Sequence, residues 1–160
     1  MKLSSKILGG LLVAMAAASA SAQTATQTVT FQVDAINLIG VTGTPSLIVN
    51  TATAGSAPTA ATSTGNTWAV TTNQTGAKIT ASIASNMPAG LTLSATMGAP
   101  AGATSAGAKS LSTTAVDMVT TITKLAASAL SLSYQLDATA AAGVVTSTTR
   151  VVTYTITGGV

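Results

Sequence analysis

The stretch Ala-Leu-Ser-Leu-Ser-Tyr-Gln-Leu-Asp-Ala, residues 129–138, decides the fold class of this chain. Its apolar and polar side chains alternate without a break, and the apolar ones are Leu130, Leu132, Tyr134 and Leu136. A two-residue period places these four side chains on one face of a β-strand. We therefore predict a strand here, with this apolar face in the core.

The same alternation recurs along the chain. In the last segment it predicts a strand whose inward side chains are Val152, Tyr154 and Ile156. Other short segments are rich in Val, Ile and Thr, which suits a pleated, half-buried surface. These further strand candidates are residues 46–50, 67–72, 77–84, 91–97 and 118–125. Between two of them, Asn-Gln-Thr-Gly at residues 73–76 predicts a hairpin turn.

Seven to nine short strands at this spacing predict an all-β protein, with residues 23–160 forming a single antiparallel β-sandwich. Two other β architectures are less consistent with the sequence. An outer-membrane barrel needs aromatic girdles at both interfaces, and this chain has one Trp and two Tyr. A β-solenoid needs a fixed repeat period, and none is found in the sequence.

The first 22 residues have the pattern of a cleaved signal peptide. Lys2 and Lys6 give a basic start, residues 7–18 are apolar, and Ala-Ser-Ala at 20–22 is a small-residue cleavage site. We expect a secreted protein, located outside the cell, at the cell surface or in the periplasm. No later segment has the run of about 20 apolar residues that a spanning helix needs, so we expect no membrane insertion.

The composition after residue 22 argues against catalysis. This part of the chain contains no His, Cys or Glu, and its only carboxylate side chains are Asp34, Asp117 and Asp137. General acid–base catalysis and activated nucleophiles draw mainly on the missing residue types. The three Asp stand alone, without the oxygen-rich loop of a calcium site. We predict that the protein is not an enzyme and that it has no catalytic, cofactor-binding or metal site.

The charge after residue 22 also argues against nucleic acid. Four basic and three acidic side chains remain, and the basic ones are scattered along the chain. A nucleic-acid binder needs a basic patch that neutralises phosphates. We therefore expect no nucleic-acid partner.

Trp68 is the only Trp of the chain and has two interpretations. An exposed indole would be a platform on which a glycan could stack. Trp68 also alternates in phase with Val70, and a chain with few aromatic residues needs its largest side chain in the core. The sequence favours the core interpretation.

An exported chain with a small-residue cleavage site, Ala/Thr/Ser/Gly-rich strands and a closing Val-Thr-Tyr-Thr-Ile-Thr (152–157) resembles bacterial fimbrial (pilus) subunits. The resemblance implies an immunoglobulin-like or pilin-like sandwich and a short N-terminal strand that completes the sheet of a neighbouring subunit. Here residues 23–33 resemble that donor strand, with Val29, Phe31 and Val33 as its alternating contact side chains. The same segment could instead be the first strand of its own sheet.

Two functions are therefore expected from the sequence. The favoured one is a non-enzymatic structural or assembly subunit of the bacterial cell surface, whose partners are further copies or other surface subunits. The alternative is a monomeric secreted binding module for a glycan or another surface, acting through Trp68 and the long loops.

Overall fold

The computed structural model describes residues 22–160, so the predicted signal segment lies outside the described residues except for Ala22. The chain divides into two compact units, Met1–Gln32 and Val33–Val160. In the first unit, residues 22–32 form neither strand nor helix. The second unit contains all the strands of the described chain. They are β1 (Asn37–Thr42), β2 (Ala61–Thr72), β3 (Ala77–Ile83), β4 (Leu91–Met97), β5 (Thr104–Ser105), β6 (Lys109–Ser110), β7 (Val116–Ile122), β8 (Leu125–Ala138) and β9 (Val152–Thr157).

These strands form two antiparallel sheets. The first, sheet A, has the order β1-β2-β8-β4-β6, and the second, sheet B, has the order β5-β7-β3-β9. A single 3-10 turn, Ala140–Ala142, lies between β8 and β9. The prediction of an all-β chain built as an antiparallel β-sandwich is confirmed, and nine strands within residues 22–160 agree with the predicted seven to nine.

The core lies between the inner faces of the two sheets. In β3, and in β4 from Leu93 onward, every second residue is buried, so that alternation along the sequence becomes burial between the sheets. Trp68 on β2, Ile79 on β3 and Met118 on β7 are among the largest fully buried side chains. The core is therefore supplied by the central strands of both sheets.

The predicted inward-facing residues of β8 and β9 are only partly in this core. Leu132 and Tyr134 are buried. The other predicted core residues are half-buried, namely Leu130, Leu136, Val152, Tyr154 and Ile156. The reason for β9 is its place in the sheet: it is an edge strand that pairs with β3 alone among the described strands, so its inward side chains are open to solvent at the edge.

Two local predictions were wrong. Residues 46–50 form no strand. The turn at 73–76 joins no hairpin, because β2 belongs to sheet A whereas β3 belongs to sheet B. Both strands bury one face, and an alternating pattern does not say in which sheet that face lies.

One end of the sandwich is closed by polar contacts around residues 73–76. Asn37 Nδ2 donates to Gln74 Oε1 at 2.7 Å, and Thr72 Oγ1 donates to Asn37 Oδ1 at 2.8 Å. The C-terminus joins the same place, since Thr75 and Val160 exchange two backbone hydrogen bonds of 2.8 and 3.1 Å. The β1 edge and the end of β9 are thus held together here.

The pairing of β2 with β8 contains two bulges. In one, Gly65 on β2 has a φ of +83°. In the other, Ser128 and Ala129 on β8 lie opposite the single residue Ala69, and Ala129 has a φ of +54°. Left-handed backbone suits glycine and strains an L side chain. The first bulge has the favoured residue and the second does not.

Replacing Ala129 by Gly is therefore expected to stabilise the protein. Relief of the left-handed strain outweighs the extra entropy of the unfolded glycine, for a net gain of about 0.5–1 kcal/mol. Urea unfolding followed by circular dichroism measures the change. The matched control is Ala126→Gly in the regular part of β8, which should lose about 0.5–1 kcal/mol. Equal losses for both variants would contradict the strain at Ala129.

Candidate functional site

The N-terminal segment exposes the apolar side chains that the sequence singled out. Val29, Phe31 and Val33 are 72%, 87% and 77% exposed. Residues 22–36 form no strand, so the segment is not the first strand of either sheet in this structure. Three large apolar side chains at alternating positions are thereby left in contact with solvent.

The sandwich has a free strand edge at β9. Within the described chain this strand pairs on one side only, with β3, in a register running from Lys78–Thr157 to Ile83–Val152. Its sequence, Val-Thr-Tyr-Thr-Ile-Thr, has no charged residue and no Pro. Natural sheets commonly protect an edge with charges, Pro or very short strands. Edge strands β5 and β6 are two residues long. Strand β9 has no such protection, and neither does β1, the six-residue edge strand of the other sheet.

A cavity of about 990 Å³ lies at the end of the sandwich opposite the closed one, and we name it the end cavity. Its floor lies where the start of β4, the end of β8 and the start of β9 approach one another. Residues 45–52 and 139–150, which form long connections, make up most of its walls. The main apolar side chains that line it are Leu47, Met87, Leu91, Leu93, Leu136 and Val152.

Two tyrosine hydroxyls meet across the two sheets in the end cavity. Tyr154 Oη on β9 donates to Tyr134 Oη on β8 at 2.9 Å. Burial raises the pKa of the Tyr154 phenol well above its ordinary value, and the hydrogen bond to Tyr134 and electrostatic repulsion from Tyr134 raise this pKa further. The neutral phenol is therefore the form that the folded protein favours.

The raised pKa of Tyr154 predicts a loss of stability in alkaline solution. The neutral phenol stabilises the fold fully below the unfolded-state pKa of about 10, and this contribution is lost as the pH rises above that value. Urea unfolding between pH 8 and pH 11 should show a steeper fall for the natural chain than for Tyr154→Phe. At neutral pH the variant should lose about 1 kcal/mol with the hydrogen bond. Parallel pH curves for the two proteins would contradict the prediction.

Among residues 22–160, Arg150 is the one charged residue that lines the end cavity. Its Nε donates to Asn86 O at 3.3 Å and its Nη1 to Thr149 O at 2.8 Å and Thr148 Oγ1 at 3.3 Å. All of these acceptors are neutral. Within residues 22–160 this guanidinium has no carboxylate partner.

The carboxylates predicted to stand alone are not brought together. Asp117 on β7 pairs with Lys78 at 3.0 Å on the outer face of sheet B, where both side chains are about half exposed. Asp137 on β8 accepts hydrogen bonds from Gln135 Nε2. Asp34 precedes β1, and its backbone carbonyl accepts from Asn73 Nδ2. In the described part of the chain, no three His, Cys, Asp or Glu side chains are grouped as a metal site would require.

Trp68 lies in the core. Its indole is 1% exposed, and Nε1 donates to Gly98 O at 3.1 Å. The structure agrees with the core interpretation, since an indole buried to this degree offers no face on which a glycan could stack.

The end cavity is the feature that sequence reasoning missed. Alternation placed Tyr134 and Tyr154 on inward faces, but their contact depends on how the two sheets are aligned. The signal that could have indicated it was the pair of long connections, residues 43–60 and 139–151, which reach the same end of the sandwich.

Comparison with protein families, with curated proteins and with solved structures found no match. Across residues 22–160 there is no helix with the length and apolar character needed to span a membrane.

Proposed function

We propose that this chain is an exported, non-enzymatic structural subunit of the bacterial cell surface, which assembles by adding its N-terminal segment to the β9 edge of a neighbouring copy. The observation that carries the proposal is the presence of both partners of such a contact in one chain. An exposed alternating apolar segment and an unprotected strand edge would complement each other.

The acceptor is the β9 edge with its inward face. Backbone donors and acceptors along the free side of Val152–Thr157 are available to a partner strand of the same length, six residues. Val152, Tyr154 and Ile156 are half-buried beneath this edge. An added strand would therefore extend sheet B and cover apolar surface at the same time.

The donor is residues 23–33, which contain no charged residue and no Pro. A strand formed by this segment would direct Val29, Phe31 and Val33 to one face. Each of these side chains is largely exposed, and burying each would contribute about 1.5–3 kcal/mol before the cost of ordering the segment. Because an isolated chain leaves them in water, association with a second copy gives them a place to be buried.

A pair of charge substitutions tests this contact. Phe31→Asp places a carboxylate on the apolar face of the donor, whereas Thr30→Asp places the same charge on the opposite face. We expect the natural chain and Thr30→Asp to form high-molecular-weight species in size-exclusion chromatography with light scattering. Phe31→Asp should weaken association at least about tenfold, since it removes the burial of one large side chain.

Three outcomes would contradict strand addition. The first is a natural chain that remains monomeric at every concentration, and the second is equal assembly of the two Asp variants. The third comes from deleting residues 23–33. Because the strands that the structure describes all lie in the unit Val33–Val160, we expect the shortened chain to stay folded and to stop assembling. Loss of its folded circular dichroism spectrum would place the segment within its own fold.

The end cavity favours a second candidate, a monomeric secreted binding module. Its volume of about 990 Å³ lies at the upper end of the range of ordinary ligand pockets. Its walls are mostly apolar, which suits a hydrophobic ligand better than a glycan. A clean monomer in the assembly experiment would favour this candidate.

A further inference from the structure

We propose that the end cavity binds a single-chain anionic amphiphile, with its alkyl chain between the two sheets and its carboxylate on Arg150. The inference rests on the cavity that favours the binding-module candidate, and it does not depend on strand addition through residues 23–33.

The interior of the end cavity suits an alkyl chain. Leucine and valine side chains from three strands form its floor. One hydrogen bond joins the two phenols there, with Tyr154 Oη donating to Tyr134 Oη. In the described chain, no buried side-chain nitrogen or oxygen lacks a hydrogen-bond partner. The hydroxyl side chains of the lining, such as Thr146, Ser147 and Thr148, lie in a connection that forms the walls, whereas the floor is apolar. A sugar on this floor would lose hydrogen bonds to water, and an alkyl chain would not.

The charge at the end cavity selects the head group. Arg150 is the only charged lining residue in the part of the chain that the structure describes, and backbone and hydroxyl oxygens hold its guanidinium in place without neutralising it. A guanidinium binds a carboxylate through two parallel hydrogen bonds and is held here before any ligand arrives. From residue 22 onward, no acidic side chain lines the cavity to repel an anion. An anionic head with an apolar tail matches both parts of the site.

Decanoate is the probe, and 1-decanol is its uncharged counterpart. Isothermal titration calorimetry of the full chain should show one molecule of decanoate bound per chain. Arg150→Gln should weaken decanoate binding about tenfold or more, because it removes a charge-assisted contact, and should leave 1-decanol binding unchanged. The matched control is Lys109→Gln, a cation on β6 that does not line the cavity, which should bind decanoate as the natural chain does.

A second pair of variants tests the position of the tail. Leu136→Gln and Val152→Thr each make the cavity floor more polar and should weaken decanoate and 1-decanol together. Two substitutions are used because either could disturb folding, which circular dichroism would detect. Phe31→Asp should bind decanoate normally, so failure of strand addition and failure of this inference are separate results.

The inference is overturned if the natural chain does not bind decanoate, or if Arg150→Gln binds it as tightly as the natural chain. Equal weakening by Lys109→Gln would also overturn it, since the effect would then be one of net charge. Loss of binding in Phe31→Asp would assign the site to the N-terminal segment instead of the end cavity.

Discussion

Replacing Trp68 by Ala is expected to lower the free energy of unfolding by about 3–5 kcal/mol, the largest loss we predict for a single substitution. The indole is 1% exposed and is the largest of the fully buried side chains. Its removal leaves a cavity between the sheets and also leaves Gly98 O without the indole N–H that it accepts. Small domains are stable by about 5–15 kcal/mol in total, so the variant is expected to unfold at much lower urea concentration.

Two companion variants show which property of Trp68 matters. Trp68→Phe keeps an aromatic side chain but loses the hydrogen bond, and we expect a smaller loss of about 1–2 kcal/mol. Val151→Ala, an apolar truncation at a residue that is 67% exposed, should change stability by less than about 0.5 kcal/mol. Far-UV circular dichroism is the readout, because Trp68 is the only Trp of the chain. A loss at Trp68→Ala no larger than that at Val151→Ala would contradict its placement in the core.

Replacing Gly90 by Ala is expected to cost about 2–5 kcal/mol. Gly90 has a φ of +79°, which strains an L side chain. An added Cβ would also lie 2.8 Å from both the Cα and the N of Ala142 and 2.7 Å from Thr139 Oγ1. Backbone atoms cannot rotate away as a flexible side chain can, so the 3-10 turn Ala140–Ala142 would have to move.

Gly102→Ala is the matched control for Gly90→Ala. Gly102 has nearly the same backbone conformation, with a φ of +81°, but nothing lies within 4 Å of its added Cβ. This variant should lose only the conformational part, about 1–2 kcal/mol. The difference between the two variants in urea unfolding therefore measures the close approach of Gly90 to the turn. Equal losses would mean that the turn yields without cost.

Alternation along the sequence predicted the fold class and several strands correctly. Residues 91–97 were predicted as a strand and form β4 with the same bounds. Residues 129–138 lie within β8, where Leu132 and Tyr134 are buried as expected. These predictions succeeded because period-two burial is a local property of a strand with one face against a core.

Properties that depend on the partners of a strand were not predictable in this way. The edge position of β9 leaves Tyr154 half-buried although its pattern equals that of a central strand. The N-terminal alternation around Phe31 has no partner strand, and residues 22–36 remain outside both sheets. The end cavity depends on which connections meet at one end of the sandwich. Each of these facts follows from sheet topology, which a single sequence does not contain.

The strand order also determines when folding can finish. β1 and β2 are the only strands that are both adjacent in sequence and hydrogen-bonded to each other in the described chain. Sheet B is completed by contacts between distant segments, such as the pairing of Lys78 with Thr157. Bringing such distant segments together costs loop entropy before any contact forms, which places folding in the slow range of milliseconds to seconds. Strand β3 cannot pair its second edge until residues 152–157 have been synthesised, so this domain completes its fold only after β9 has left the ribosome.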